Sequence, residues 1–345
     1  MRTKADLIQM QSAPLEVKIL MTQSRIREWV REFGTDGVYV SFSGGKDSTV
    51  LLHLVRELYP DVEAVFVNTG LEYPEIQKFV KTFDNVTILR PEMRFDEVIK
   101  KYGYPVISKE VAKCVQYAKK AIAKGVEENH GGYMRLCGLV VDKNGDKSRY
   151  NCEKYKPLLY SDFNVSSSCC NVMKKNPVKQ YAKKTGKMPI TAQMASESFL
   201  REQQWIKKGC NAFNSKQPIS NPMSFWTEQD VLRYIKLNGI KIADVYGFVA
   251  ADKDGQQALD DCGCKLCTTG CNRTGCIFCG FGAHLEKGEG KFERLKRTHP
   301  KQYDFCMNGG SYDSDGIWKP DKNGLGMKHV IDTLNSLYGD DFIKY

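Results

Sequence analysis

No stretch of the 345-residue chain approaches the roughly 18 consecutive apolar residues that a membrane-spanning helix needs. The opening segment, MRTKADLIQMQSAPLE, lacks the apolar core of a secretory signal, so the sequence predicts a cytoplasmic protein. No internal repeat is present, which argues against a solenoid. The GxxxxGK[ST] pattern of a Walker loop is absent. No recognised nucleic-acid-binding motif occurs. What the chain does not lack is cysteine: there are 13, and in a reducing compartment they are read as metal ligands or packing residues before disulfides.

The composition, 41% hydrophobic and 27% charged, is that of a globular chain long enough for one large domain or two. Fifty-one Lys and Arg against 41 Asp and Glu leave a net +10, which favours a polyanionic or phosphorylated partner. Between Val165 and Lys216 there are ten basic and two acidic residues, so this segment alone carries +8. A solvated basic face and a nucleic-acid or phosphonucleotide surface are both open readings of it.

Apolar periodicity predicts a helix over Leu15–Phe33, a strand over Val38–Phe42 and a helix over Ser48–Leu58. A strand over Val62–Val67, a helix over Pro74–Thr82 and a strand over Val86–Leu89 complete the alternation. Such alternation indicates a parallel sheet with right-handed crossovers, an α/β fold. Further on, helices are expected over Val111–Lys124 and Ser196–Lys208, and a strand over Pro189–Met194. A helix opens near Trp226 with Thr227 as its N-cap. Leu139–Tyr150, centred on Lys143-Asn144-Gly145-Asp146, reads as a hairpin insertion. Beyond Gly247 periodicity fades. The expected division is a nucleotide-binding domain over 1–247, with the insertion near 133–150, and a Cys-rich region over 248–345 that needs metal or the first domain to hold its shape.

Ser41-Phe42-Ser43-Gly44-Gly45-Lys46-Asp47-Ser48-Thr49 joins a strand to a helix start. Two glycines allow an oxyanion to approach the backbone, and the helix N-terminus favours negative charge there. Lys46 and the hydroxyls of Ser43, Ser48 and Thr49 add donors.

This segment resembles the pyrophosphate-binding loop of the ATP pyrophosphatases, the superfamily that includes the phosphoadenosine phosphosulfate (PAPS) reductases. The resemblance runs from about Arg25 to the C-terminus. Val65–Glu75, containing Asn68-Thr69-Gly70, is similar to the family's second strand and adenosine turn, and Ala195–Arg201 resembles its ExxxR-type segment. The resemblance implies a Rossmann-like, adenine nucleotide alpha hydrolase-like fold that cleaves ATP between the α and β phosphates and transfers AMP to an acceptor. Lys46, the Gly44 and Gly45 amides and Arg201 would meet the displaced pyrophosphate, and Asp47 would suit Mg2+. Glu197 and Arg201 could equally be a plain i,i+4 surface pair.

Six cysteines lie between Cys262 and Cys279, and Cys169 and Cys170 are adjacent; Cys114, Cys137, Cys152, Cys210 and Cys306 are scattered and read as packing residues. The C-x4-C-x2-C run of Cys271, Cys276 and Cys279 lets thiolates converge on one metal centre. Paired cysteines followed by CxxC resemble the [4Fe-4S] pattern of adenylyl sulfate reductases and sulfur-inserting enzymes, which favours a cluster over zinc. That resemblance points to Cys276, Cys279 and Cys170 with either Cys169 or Cys271. Cys262, Cys264 and Cys267 are surplus. They form a Zn2+ site with Cys271, or replace Cys169, or are free thiols.

Three functions therefore compete. The first is an adenylating enzyme of sulfur chemistry, akin to tRNA thiolation or DNA phosphorothioation proteins, using ATP, Mg2+ and a [4Fe-4S] cluster. Its expected partners are nucleic acid, a sulfur donor such as a cysteine desulfurase, and a second copy in a homodimer. The second is a sulfonucleotide reductase consuming PAPS or adenylyl sulfate. Such reductases carry a catalytic cysteine in a C-terminal ECGLH-like motif, which Gly339–Tyr345 does not contain, so Cys306 or a surplus cysteine would have to substitute. The third is a non-catalytic nucleotide sensor.

Overall fold

Val38, Tyr39 and Val40 are buried on both faces of their strand, the condition that selects a central parallel strand over an amphipathic edge. The computed structural model describes residues 2–127, 130–251 and 265–345. Its helices in chain order are α1 (Lys4–Gln11), α2 (Leu15–Phe33), α3 (Lys46–Leu58), α4 (Pro74–Val80), α5 (Phe95–Tyr102), α6 (Lys109–Ile122), α7 (Gly131–Leu136), α8 (Asn176–Thr185), α9 (Phe199–Lys208), α10 (Glu228–Leu237), α11 (Lys291–Thr298), α12 (Pro300–Met307) and α13 (Met327–Tyr338). The strands are β1 (Val38–Ser41), β2 (Ala64–Val67), β3 (Val86–Leu89), β4 (Val106–Ile107), β5 (Met188–Ile190), β6 (Asn211–Ala212), β7 (Ile219–Ser220), β8 (Val249–Ala251), β9 (Leu266–Thr268), β10 (Gly280–Phe281), β11 (Ser311–Tyr312) and β12 (Trp318–Lys319). Among the described residues no helix is long and apolar enough to cross a membrane.

The chain forms two compact units. The first comprises Met1–Asn68, Glu72–Arg90 and Pro177–Thr274; the second comprises Thr69–Leu71, Pro91–Asn176 and Gly275–Tyr345. They are interleaved along the sequence and do not follow a single cut at 247. The physical reason is pairing: β10, in the segment expected to form the tail, lies parallel to β4, so the second half of the chain completes a body begun near Pro91.

The first unit is the expected α/β layer. Its sheet runs β3-β2-β1-β5-β7-β6, parallel except for the last pair. In register, Val40 faces Ala64 on one side and Ile190 on the other. Helix α3 contributes Val50, Leu51, Leu54 and Val55 to the core, and α2 contributes Ile26, Trp29 and Val30. Helix α10 begins as the sequence predicts: the Thr227 hydroxyl caps it, while Asp230 accepts from the Thr227 amide at 2.7 Å and from Lys18 Nζ at 2.7 Å.

The second unit has an apolar core to which the segment after Gly275 contributes. Phe292, Leu295, Cys306, Val330, Ile331 and Leu334 of α11–α13 are buried, and the Tyr104 hydroxyl donates to the Leu325 carbonyl at 2.7 Å. Met327, Val330, Ile331 and Leu334 recur at helical spacing; the signal was diluted by the glycine-rich sequence before it. The insertion is a hairpin of minimal length. Val141 and Lys147 make one antiparallel bridge around a turn in which Asp142 Oδ1 accepts from the Asn144 and Asp146 amides.

Between β1 and α3 the chain turns through Gly44 at φ 70°, and a Cβ there would meet Ile76 and Val80 methyls at 2.8 Å. Both the left-handed backbone and the close approach demand glycine. Gly44→Ala is expected to lose about 1–2 kcal/mol from the backbone alone. In urea unfolding the midpoint should fall with the slope unchanged.

Candidate functional site in the β1–α3 turn

Gly45 is the N-cap of α3, and the 13-residue helix aims its N-terminal amides at the turn. The loop is internally bonded. The Ser43 and Ser48 hydroxyls lie 3.0 Å apart, the Ser43 amide donates to Ser48 Oγ at 3.1 Å, and the Gly45 amide donates to Ser43 Oγ at 3.3 Å. Ser48 and Thr49 hydroxyls both donate to the Gly45 carbonyl, at 2.9 and 3.0 Å. These hydroxyls, expected as donors to a ligand, are bonded within the loop here. Ser41 ends β1 next to them.

Lys46 is 4% exposed, and its ammonium donates to Glu228 and to the Asn272 carbonyl at 2.8 Å. Asp47 beside it has a buried Oδ1 without a hydrogen-bond partner among the described residues. Burial raises the Asp47 carboxyl above its ordinary value; Lys46, Arg273 and Arg201 act against that shift, and Glu228 reinforces it. Arg201 in α9 is paired with Glu197, which ends the 3-10 turn Ala195–Glu197 on the far side of the extended Ser198, and burial and Arg273 lower the guanidinium's pKa. The i,i+4 pair therefore belongs to a partly buried charge cluster and is not a solvated surface pair. Tyr246, buried, shares a 3.2 Å hydrogen bond with the Thr274 hydroxyl, and a Cβ on Gly45 would lie 3.3 Å from its phenol oxygen. Three cations about a half-buried carboxylate with one unbonded oxygen, at a helix N-terminus, can hold a polyphosphate with a divalent cation.

Glu228, Asn272, Arg273 and Tyr246 were not singled out in the sequence. Glu228 follows the Thr227 cap and reads as first-turn helix chemistry, while Asn272 and Arg273 sit inside a run dominated by cysteines. Of the turn after β2, the Asn68 amide donates to Leu89 O at 2.8 Å. Thr69 and Gly70 belong to the second unit, where Thr69 Oγ1 accepts from the Leu71 amide at 3.2 Å and Gly70 has φ 73°.

Within the second unit four cysteines are electrostatic neighbours: Cys169, Cys170, Cys276 and Cys279. The Cys169 thiol hydrogen-bonds Cys170, which holds Cys170 well below the ordinary thiol range with help from Lys109 and Lys174. Burial raises Cys279, and Lys291, whose ammonium donates to the Cys276 carbonyl at 3.1 Å, opposes that. The donor set matches a four-thiolate centre in type and number. Among the described residues no three ligating side chains converge on one point. Cys271 and Cys267 lie in the first unit, Cys267 on β9 and Cys271 held through its amide to Val245 O at 2.9 Å. Cys262 and Cys264 lie outside the described residues.

The model of the phosphoadenosine phosphosulfate reductase domain matches residues 37–129 and 115–280. The chain belongs to that family. An uncharacterized protein of Methanocaldococcus jannaschii is 24% identical over 290 residues, 82% of this chain and 51% of that protein. An adenosine 5'-phosphosulfate reductase of Staphylococcus haemolyticus is 26% identical over 216 residues, 61% of this chain and 65% of that protein. The chain thus spans about half the length of the first relative. Among solved structures, a PAPS reductase from Candida auris in a phosphate complex is similar at 15% identity and TM-score 0.37, over 71% of this chain and 91% of that one. The U34-tRNA thiolase NcsA of Methanococcus maripaludis, solved with its [4Fe-4S] cluster, is similar at 14% identity and TM-score 0.31, over 66% of each chain. At these scores neither likeness carries anything further.

For this family member the buried Asp47 yields a test that needs no substrate. Its pKa is raised on folding, so between the ordinary carboxylate range and the raised value the folded state binds more protons than the unfolded one. Stability therefore falls as pH rises through that window. Asp47→Asn should flatten this fall and stabilise the ligand-free protein at neutral pH, read by thermal unfolding from pH 4 to 8.

Proposed function

We propose that the chain cleaves ATP to AMP and pyrophosphate and adenylates an acceptor for sulfur insertion. The observation that carries this reading is the cation cluster of Lys46, Arg201 and Arg273 about Asp47, whose covered Oδ1 has no hydrogen-bond partner among the described residues, at the start of α3. Lys46 would exchange Glu228 and the Asn272 carbonyl for phosphate oxygens. Charge developing on the leaving pyrophosphate would meet Lys46, Arg201 and the loop amides, with Glu197 orienting Arg201. Asp47 would hold Mg2+, which supplies further neutralisation of that charge when bound.

Cys169, Cys170, Cys276 and Cys279 are the set we assign to a [4Fe-4S] cluster. Such a group supplies redox-active or sulfur-ligating iron when bound. The chain's own part is to bring thiolates together against their mutual repulsion, which Lys109, Lys174 and Lys291 reduce. Cys276→Ser and Cys279→Ser should remove the brown colour and about four irons per chain. A colourless preparation with stoichiometric zinc under anaerobiosis would replace the cluster with zinc.

A second reading, sulfonucleotide reduction, is favoured by the family membership and by the S. haemolyticus relative. It needs a nucleophilic thiol. Cys306 does not suit, because it is fully buried on α12 and burial pushes its thiol up. One anaerobic assay separates the readings: ATP giving pyrophosphate supports adenylation, PAPS or adenylyl sulfate giving sulfite supports reduction, and binding without turnover supports a sensor. Lys46→Ala should weaken nucleotide binding roughly ten- to hundred-fold, the loss of a charge-assisted contact, and abolish turnover. Unchanged affinity and turnover would overturn the site.

We further propose nucleic acid as the acceptor. Lys183 and Lys184 are exposed in the last turn of α8, whereas Lys187 is paired with Glu63. Reversing the charge of Lys183 and Lys184 should weaken binding and flatten its salt dependence by about 0.7 to 0.9 in log-log slope per lost phosphate contact, with ATP affinity intact. If neither DNA nor RNA binds at low salt, the acceptor is not nucleic acid.

A further inference from the structure

Along the flank of α3 the first unit has a second concave site that the proposed chemistry does not use. It is a cavity of about 670 Å3, within the size range of small-molecule sites. Its apolar lining is Leu52, Phe79, Phe83 and Ile240, and the rings of Phe79 and Phe83 meet edge to face at 5.0 Å. Lys46, Asp47, Arg201 and Arg273 do not line it.

Polar groups stand around that lining in a fixed arrangement. Tyr234 of α10 is 2% exposed; its hydroxyl lies 3.0 Å from His53 Nδ1 and donates to Glu57 Oε2 at 3.4 Å. The tautomer in which Nδ1–H donates to Tyr234 satisfies both bonds and leaves His53 Nε2 without a partner among the described residues. Arg56 commits Nε to the Val62 carbonyl at 3.3 Å and one terminal nitrogen to the Asp84 and Asn85 carbonyls at 2.9 and 3.1 Å. Those carbonyls fix the guanidinium but do not neutralise it, and its other terminal nitrogen is left over. Lys241, exposed at the cavity wall, forms no ion pair among the described residues. Arg56 and Lys241 against Glu57 thus leave the cavity one net positive charge with His53 neutral.

We propose that this cavity is a binding site for a small aromatic monocarboxylate, separate from the nucleotide site. The ring packs on Phe79, Phe83, Leu52 and Ile240, where edge-to-face contact adds to the burial of apolar area. The carboxylate meets Lys241 and the uncommitted nitrogen of Arg56, and His53 Nε2 offers a further contact to a polar ring substituent. Charge selects among ligands of this size. A monoanion cancels the single net charge, a phosphate dianion overshoots it beside Glu57, and a neutral ring leaves both cations unanswered. The site stands independently of the adenylation reading, since none of the groups that would hold ATP takes part in it.

The test uses the full chain and a photoreactive aromatic carboxylate, 4-azidobenzoate, with irradiation followed by digestion and peptide mapping. The expected result is saturable labelling of peptides holding residues 79–83 or 238–241. Indole-3-acetate should suppress that labelling at a concentration roughly ten-fold lower than its uncharged isostere indole-3-acetamide, the loss of one charge-assisted contact, and inorganic phosphate should not compete. Lys241→Met, at an exposed position that the fold does not need, should erase the preference for acid over amide. Lys46→Ala should leave labelling unchanged, which separates this cavity from the nucleotide site. Labelling that does not saturate or falls on other peptides, equal competition by acid and amide, competition by phosphate, an unaltered preference in Lys241→Met, or loss of labelling in Lys46→Ala would each overturn the proposal.

Discussion

The reversal at Gly44 is the constraint from which the first unit's chemistry follows. A buried parallel strand must hand over to a helix packed on the same sheet, and only a left-handed residue lets the turn close against Ile76 and Val80. Once it closes, the start of α3 points its N-terminal amides into the turn, Lys46 is carried below the surface, and Asp47 is half-buried with its Oδ1 covered. The hydroxyls of Ser43, Ser48 and Thr49 then serve the backbone. The loop is rigid because its own polar groups are satisfied, and the groups left for a ligand are the charged ones.

Those charges are in tension. Asp47 is penalised by burial more than its cationic neighbours relieve it, and Lys46 answers to Glu228 and a carbonyl. An arrangement chosen for stability alone would put apolar groups here, since buried ion pairs rarely repay their desolvation. Under the proposed function a polyphosphate with a divalent cation would resolve both imbalances in one event, taking Lys46 on its oxygens and giving Asp47 a counter-charge. Glu228 would then be the placeholder for that anionic ligand. Being about half exposed at the first turn of α10, it can return to solvent at little cost.

Much of this was legible in the sequence, for reasons that differ by element. α2, β1, β3 and α10 lie where periodicity and the Thr227 cap put them, and the two helices each bury one apolar stripe. The Gly-Gly turn and its lysine were readable because the local chain alone makes that geometry. Arg273 and Glu228 were not, since each reaches Asp47 through tertiary packing from segments whose own signals were a cysteine run and a helix cap. The helices after Gly290 were hidden by their short lengths and intervening glycines, and the interleaving of the units by a two-residue strand pair that no periodicity can announce.

In the second unit α6 brings a cation to the paired cysteines. At its first residue Lys109 favours the thiolate of Cys170, whose neighbour Cys169 is raised. Two adjacent thiols are thus divided into a thiolate and a protonated partner, with Cys276 and Cys279 as further neighbours. Ile107, the residue two before Lys109, takes φ 67°, costly for a β-branched side chain. It is held there by its parallel pairing with Phe281, and its carbonyl accepts from the Gly282 amide at 2.8 Å. The strand pair that follows Cys279 thus fixes where α6 begins, and with it the placement of Lys109 beside the paired cysteines.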